Sequence, residues 1–531
     1  MNEIIKAMEE RRSIRKFKPD MPTKEDLEQI IEAGLYAANG MGKQATITIA
    51  VTNKKLRDRL SAINAKIGGW KEGFDPFYGA PAILIVLADK NWANRVYDGS
   101  LVMGNMMLAA YSLNLGSIWI HRAKEEFELP EITDDEILVK VVSDSICMST
   151  YKCAILGTEH KRVHEDVAEH PAIMGHEFAG DIVKVGKNHQ EQFKPGMKFT
   201  LQPALNYKGT MWSPGYSYEF FGGDTTYCVI PAEVMELGCL LEYKGRAYYE
   251  ASLAEPMSCS IGAFHAAYHT QMGVYTHEMG IKENGKLAIM AGAGPMGLGA
   301  LTYALHRDVR PSMVVVTDIN QDRLDRAEEL FPVADYKKEG IDLHFVNTGS
   351  FEDPVEELIK ISGGTGYDDV LCYAPVSAVV TQSSAILGRD GCLNFFAGPT
   401  DKKFSAEMNF YDVHYNSTHV MGTTGGNTAD MIESLELTAA KRINPAVMVT
   451  HIGGLDAAAE TTLNLPKIPG GKKLIYTHLS MPLTALDELR KAAAERNDER
   501  YNALADIVDA HQGLWCPEAE EYLLANFITE K

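Results

Sequence analysis

The sequence predicts an α/β multidomain chain: an N-terminal α+β segment, a β-rich unit, and then a unit built on a doubly wound parallel sheet. Three observations lead there. At 531 residues the chain exceeds a single core, and about 150 residues per domain suggests three or four units. The hydrophobic periodicity changes twice, near residue 136 and again near 287. Charge steps at the first change: residues 1–128 hold 18 basic and 16 acidic side chains, a balance of +2, and the remainder a balance of −23.

Residues 2–10 and 24–38 carry helical spacing, with Thr23 as N-cap of the second helix. Ala82 to Ala88 reads as a buried strand. Ser100 to Leu113 is apolar nearly all round and reads as a buried helix. From Glu136 to Val142 and from Gly180 to Val185 the pattern becomes short strands, with a turn signal, KPG, at 194–196. Beyond Leu287, strand candidates at 286–291, 312–317, 368–373 and 392–396 alternate with helices at 295–306, 321–330, 353–361 and 377–386. Such alternation implies βαβ units and a parallel sheet. Past Tyr476, two charged amphipathic helices, 482–496 and 499–511, read as a packed surface appendage.

Composition narrows the partners. A net charge of −21 argues against nucleic acid, because phosphate binding needs a basic footprint. The longest apolar run, Leu287 to Leu305, is broken by glycines and a proline, so strand–turn–helix is expected rather than a membrane span. The N-terminus lacks the apolar core of a signal peptide, so a cytoplasmic location is expected. The eight cysteines include no CxxC pair; disulfides are not expected, and most read as small buried apolar residues, with Cys147 the exception.

The segment Lys286-Leu-Ala-Ile-Met-Ala-Gly292-Ala-Gly294-Pro-Met-Gly297 is a strand running into G-x-G-x-x-G and an apolar helix. Gly292 permits a tight turn, Gly294 lets a pyrophosphate approach the backbone, and Gly297 lets helix and strand pack closely. The helix N-terminus offers free N–H groups and a positive dipole to the phosphates. Asp318 ends the next strand, 21 residues after Gly297. A carboxylate there hydrogen-bonds a ribose 2′-hydroxyl and repels a 2′-phosphate, so NAD(H) is favoured over NADP(H); Arg323 close by weighs the other way.

Upstream stand Ser145-Ile-Cys147-Met-Ser149-Thr150, then Gly175-His176-Glu177-Phe-Ala-Gly180, then Leu253-Ala-Glu255-Pro256. Thiolate, imidazole and carboxylate together suit Zn²⁺, with one position left open for substrate. Adjacent His176 and Glu177 cannot both face one atom from a regular strand. Either a turn at Gly175 brings both round, or Glu177 stands behind the ligands.

These motifs resemble the zinc-type medium-chain dehydrogenase/reductase family over about 129–531, and within it the sorbitol and threonine dehydrogenase branch, of the L-sorbose-1-phosphate reductase type. The resemblance implies a GroES-like catalytic domain over 128–270, completed by about 440–531, and a Rossmann domain over 271–439. It implies that Cys147, His176 and either Glu177 or Glu255 hold one catalytic zinc, and that Ser149 or Thr150 passes the alcohol proton towards solvent. Region 203–224, where many relatives carry four cysteines for a structural zinc, has none here. Thr150 stands where many relatives have Asp.

In the first 128 residues, Arg11-Arg12-Ser13-Ile14-Arg15 groups guanidiniums able to fork onto a phosphate. With Ala37-Ala-Asn39-Gly-Met-Gly-Lys43-Gln44, the helix at 100–113 and Gly116-Ser-Ile-Trp119, this segment resembles the nitroreductase family. That implies FMN at a dimer interface, with Arg11, Ser13, Arg15 and Gln44 at the matching positions. The resemblance covers 1–127 and stops short of the segment that normally completes the flavin site; the dehydrogenase resemblance likewise starts late. The junction Lys124-Glu-Glu-Phe-Glu-Leu129-Pro130 has no Gly/Ser linker, and fits a natural fusion, a chimera or a misjoined reading frame.

The expected function is a zinc-dependent oxidoreductase passing hydride between NAD(H) and a secondary alcohol or ketone of a polyol or sugar phosphate, acting as a homo-oligomer on a small molecule. The alternatives are an FMN-dependent NAD(P)H reductase of nitro or quinone compounds, and a non-catalytic chimera.

Overall fold

A computed structural model describes residues 3–67, 70–71, 73–89, 92–120, 131–271 and 273–527. The junction at 124–130 lies outside the described residues. The chain divides at Glu131 and Ile132 into two compact units. Among the described residues no helix is long and apolar enough to cross a membrane.

In the N-terminal unit, strands Thr46–Val51 and Ile83–Ala88 pair antiparallel, from Thr46 opposite Ala88 to Val51 opposite Ile83. Helices Lys24–Leu35 and Arg95–Ser112 pack through Ile30, Val102, Met106 and Ala110. Gly34 makes their approach possible: a Cβ there would come 2.9 Å from Met106 Cγ. Thr23 caps the first of these helices in a full capping box with Asp26. Two expectations are corrected. Strand Ile83–Ala88 is half-buried, not buried, because it lies in a sheet of only two strands. The helix expected at 100–113 to be buried nearly all round buries one face only, through Val102, Met106 and Ala110, and leaves Leu101 exposed.

The larger unit is organised round strand Ile137–Ile146, in which every residue but Lys140 is buried. Its sheet runs in the order Thr484–Ala485, Val449–Gly454, Lys472–Tyr476, Ile137–Ile146, Phe178–Val185, Lys198–Leu201, Leu240–Glu242, with Tyr227–Ile230 also paired to Ile137–Ile146. The central strand is longer than the 136–142 expected, because Ser143-Asp144-Ser145 interrupts the apolar pattern without interrupting the ladder. Their polar groups stay inside: Ser143 Oγ, for instance, lies 3.1 Å from Ser252 Oγ. Residues 203–224 form a loop packed by aromatic rings, Trp212 on Tyr218 and Tyr218 on Phe221.

A second sheet holds six parallel strands in the order Asp342–Asn347, Met313–Asp318, Lys286–Met290, Tyr367–Cys372, Leu387–Phe395, His419–Gly422. Strand order reverses beside Lys286–Met290, which makes its carboxyl end the switch point where doubly wound sheets bind ligands. Helices Pro295–His306 and Gln321–Leu330 stand where the periodicity places them. Strands Asp342–Asn347 and His419–Gly422 are additional. The first is polar at both ends, and the second is a four-residue edge.

The C-terminal reading also needs correction. Residues 482–496 are not one helix: Thr484–Ala485 pairs with Val449–Gly454, and only Leu489–Arg496 is α-helical. Helices Arg500–Ala510 and Pro517–Asn526 follow. They are no surface appendage, since Leu489, Leu504, Trp515 and Leu523 enter the largest core cluster. Glu520, 2% exposed, pins them. Its carboxylate accepts from Tyr248 N, Tyr249 N at 2.8 Å and the Tyr476 hydroxyl at 2.9 Å.

Burial pushes the Glu520 carboxyl up to about 7, from 4.5. Because the folded state keeps this proton to higher pH, stability falls as pH rises between these values, where the unfolded chain has already lost it. Glu520→Gln should flatten that fall in urea midpoints taken from pH 4.5 to 7.5. Glu520→Ala, which strands two backbone donors, should cost about 1–3 kcal/mol at either pH.

Candidate metal centre and coenzyme turn

Cys147 follows the last residue of the central strand and N-caps helix Met148–Leu156, its Sγ accepting from Ser149 N at 3.3 Å. His176 and Glu177 enter from the neighbouring strand Phe178–Val185. The turn needed to swing both inward is present: Gly175 has φ +86°, and a Cβ there would lie 2.4 Å from Asp144 Oδ2 and 2.7 Å from Asp224 N. Cys147 Sγ sits 3.4 Å from His176 Nε2, and donor atoms of Cys147, His176 and Glu177 all lie within 4.8 Å of one another. Thr150 Oγ1 lies 3.4 Å from His176 Nδ1; with Nδ1 as donor, the Nε2 lone pair is left facing Cys147. This soft–borderline donor set fits Zn²⁺.

The electrostatics are those of a site arranged around a cation. Burial, with Glu177 next, pushes the Cys147 thiol up to about 11, and burial lowers His176. Burial also raises Glu255, with Glu177 the next cause; Glu255 accepts from the Cys259 thiol at 3.5 Å near the start of helix Ala254–Ala266. A bound divalent ion reverses this logic for the thiol, since a coordinating thiol is deprotonated. Glu177 is neutralised by Lys472, whose Nζ lies 2.5 Å from both its carboxylate oxygens, with the lysine raised in turn by that carboxylate against burial.

Lys472 and the Asp144–Asp224 pair carry no motif and were not singled out by sequence. Lys472 lies 295 residues from Glu177 in the chain. Burial, then Asp224 and Glu177, raises the Asp144 carboxyl well above its ordinary value, and burial raises Asp224 as well. Asp144 Oδ1 accepts from Glu177 N at 3.1 Å and steadies the turn.

The glycine turn leaves strand Lys286–Met290 at its carboxyl end. Its left-handed residue is Ala291, at φ +53°, not Gly292, the residue expected to carry the turn. Gly292 is required by crowding instead, since a Cβ would meet Ile289 Cγ2 at 2.5 Å and Ile289 O at 2.7 Å. A Cβ on Gly297 would meet Gly292 O at 2.1 Å, whereas nothing lies within 4 Å of one on Gly294, the N-cap of helix Pro295–His306. Asp318 Oδ1 accepts from Ile319 N and Asn320 N, while Arg323 is exposed on the following helix. Ser260 Oγ donates to Met296 O at 3.3 Å, tying the helix that carries Glu255 to the coenzyme turn.

In the N-terminal unit Ser13 bridges Ser117, Arg15 is exposed, and Arg11 Nη1 is buried without a hydrogen-bond partner. Gln44, at φ +51°, donates its side-chain amide to Leu35 O at 3.1 Å. Among the described residues no hydrogen bond joins Gln44 to Arg11, Ser13 or Arg15.

Comparison with known proteins agrees with this geometry. The alcohol dehydrogenase GroES-like domain model matches residues 133–246, the zinc-binding dehydrogenase model 295–440, and the nitroreductase family model 8–127. A mannitol-1-phosphate 5-dehydrogenase of Aliivibrio fischeri is 56% identical over 398 residues, 75% of this chain and 93% of that protein. An L-sorbose 1-phosphate reductase of Klebsiella pneumoniae is 48% identical over 402 residues, 76% of this chain and 94% of that protein. In fold, 2R,3R-butanediol dehydrogenase from Bacillus subtilis superposes with TM-score 0.54 at 22% identity, covering 66% of this chain and 95% of that one. The chain therefore belongs to the zinc-type medium-chain dehydrogenase family, with a nitroreductase-family segment joined ahead of the dehydrogenase.

Proposed function

We propose that this protein passes hydride between NAD(H) and a secondary alcohol or ketone carbon of a phosphorylated polyol. The observation that carries the reading is the convergence of Cys147, His176 and Glu177 donor atoms within 4.8 Å. The identity to dehydrogenases and reductases of mannitol 1-phosphate and sorbose 1-phosphate supports the substrate class. When bound at these residues, Zn²⁺ supplies Lewis-acid polarisation of the substrate oxygen, and NAD supplies the hydride acceptor. One zinc is proposed, since the loop at 203–224 has no cysteines for a second.

Cys147, His176 and Glu177 hold the ion. Glu255, whose carboxyl burial and Glu177 keep high, stands ready as an exchanging ligand. Thr150, 1% exposed and in contact with His176, orients the imidazole. Ser149, exposed beside Cys147, is the hydroxyl placed to hand the alcohol proton to solvent. Gly294 admits the pyrophosphate, and Asp318 Oδ2, unbonded among the described residues, takes the ribose hydroxyl, so NAD(H) is preferred in spite of Arg323. A homo-oligomer located in the cytoplasm remains part of this reading.

Metal analysis should find one zinc per chain, and chelation should abolish NADH-coupled turnover of mannitol 1-phosphate. Zinc-free protein with no activity restored by zinc on any polyol or sugar phosphate would sink the proposal. Glu177→Gln should weaken zinc retention more than Glu255→Gln does.

Lys472→Met leaves Glu177 buried without its cation, and should cost the metal-free protein about 3–5 kcal/mol in urea unfolding. Adding Glu177→Met should recover most of the loss, and added zinc part of it.

The buried, unpartnered Arg11 Nη1 favours a second activity, flavin binding by Arg11, Ser13, Arg15 and Gln44. Purified protein should then be yellow, with FMN released on denaturation. Colourless protein that takes up no added FMN removes this activity and leaves the dehydrogenase untouched.

A further inference from the structure

We infer that Arg162, lying over Tyr216 beside the metal donors, with Lys161 and Lys152 near His160, forms the subsite for the phosphate of the polyol substrate. This rests on the dehydrogenase reading and deepens it. Sequence shows no such clamp, because its cations are divided between a helix and a loop.

Tyr216, 3% exposed, is the hub. One ring face stacks on His160, at 5.3 Å between centroids and 11° between planes, and the ring tilts against His176 at 5.1 Å. The Arg162 guanidinium lies 5.4 Å from the same ring's centroid. Arg162 is half-buried, and among the described residues its guanidinium makes no ion pair. Its backbone is held at both ends: Arg162 N donates to His160 Nδ1 at 3.3 Å, and Ser217 Oγ donates to Arg162 O at 2.7 Å. Lys152, in the second turn of the helix that Cys147 caps, donates from Nζ to Gly398 O at 2.8 Å.

Among the described residues none of these three cations forms an ion pair. His160 is lowered first by burial and then by Arg162, Lys161 and Lys152, with no carboxylate acting on it in the opposite sense. In a chain of net charge −21, three neighbouring cations left unneutralised are an unfavourable arrangement that a bound dianion relieves. The guanidinium and the His176 ring both lie against Tyr216, 5.4 Å and 5.1 Å from its ring centroid. At about 1.5 Å per single bond, a phosphate four carbons from the reacting carbon reaches roughly 8 Å, long enough to bridge two groups packed on one tyrosine ring. The substrate class that fits is an open-chain polyol phosphate oxidised far from its phosphate.

The test compares zinc-loaded wild type with Arg162→Gln, Arg162→Lys and the exposed-site variant Lys161→Gln. Turnover of mannitol 1-phosphate and of mannitol is measured alongside calorimetric binding of inorganic phosphate. Arg162→Gln should raise KM for mannitol 1-phosphate at least tenfold, with a smaller change in kcat. The preference in kcat/KM for the phosphorylated polyol should shrink by a similar factor. Arg162→Lys should recover part of this, Lys161→Gln should move it the same way by less, and phosphate binding should weaken in step. Equal losses on mannitol and mannitol 1-phosphate, or phosphate binding unchanged in both glutamine variants, overturn the subsite while leaving the dehydrogenase intact. If no polyol is turned over, the dehydrogenase reading fails, and phosphate binding alone then decides the subsite.

Discussion

The dehydrogenase unit depends on the pairing of Lys472–Tyr476 against Ile137–Ile146. That antiparallel ladder places Lys473 opposite Ile146 and Tyr476 opposite Ser143. On the other edge of the same central strand, Ser145 N donates to Glu177 O at 3.0 Å. Cys147 thus emerges between two strands that deliver Glu177 from one side and Lys472 from the other. Two charges taken out of water are tolerable only together, so the ion pair and the ladder enforce one another. The same strand carries Tyr476 to Glu520, which ties down the last helices.

The metal donors and the coenzyme turn obey different constraints. The donors are positioned by an irregularity, the left-handed Gly175, braced by Asp144 and Asp224 from below. The turn is positioned by close packing: strand, loop and helix approach to distances that admit no Cβ at Gly292 or Gly297, while the space over Gly294 stays open. Helix Ala254–Ala266 links them, with Glu255 in its first turn and Ser260 on Met296 O. The metal donors and the glycine turn are therefore joined through one helix.

Much of this was legible in the sequence because it is local. Period-3.6 and buried-strand patterns placed Pro295–His306 and Gln321–Leu330 and most of the parallel strands. G-x-G-x-x-G marked the turn, and Cys147, His176 and Glu177 stood out by residue type and spacing. The errors have local causes too. Ser143-Asp144-Ser145 hid the end of a strand, and four-residue His419–Gly422 is too short to show a period. Helices after Tyr476 read as surface because their outward faces are charged, although Trp515 and Leu523 are core.

By itself, the sequence determined the fold class, the glycine turn between strand and helix, and which residue types to look for at a candidate metal centre, since each is encoded by spacing within some dozens of residues. Only the tertiary structure decided that Glu177 would be matched by Lys472, that Asp144 would lie beside Asp224, and that Arg162 would lie over Tyr216 with Lys161 and Lys152 near His160. The reason is physical. The energy of a charge depends on burial and on neighbours a few ångströms away, and those neighbours come from segments up to 295 residues apart, brought together only by the sheet.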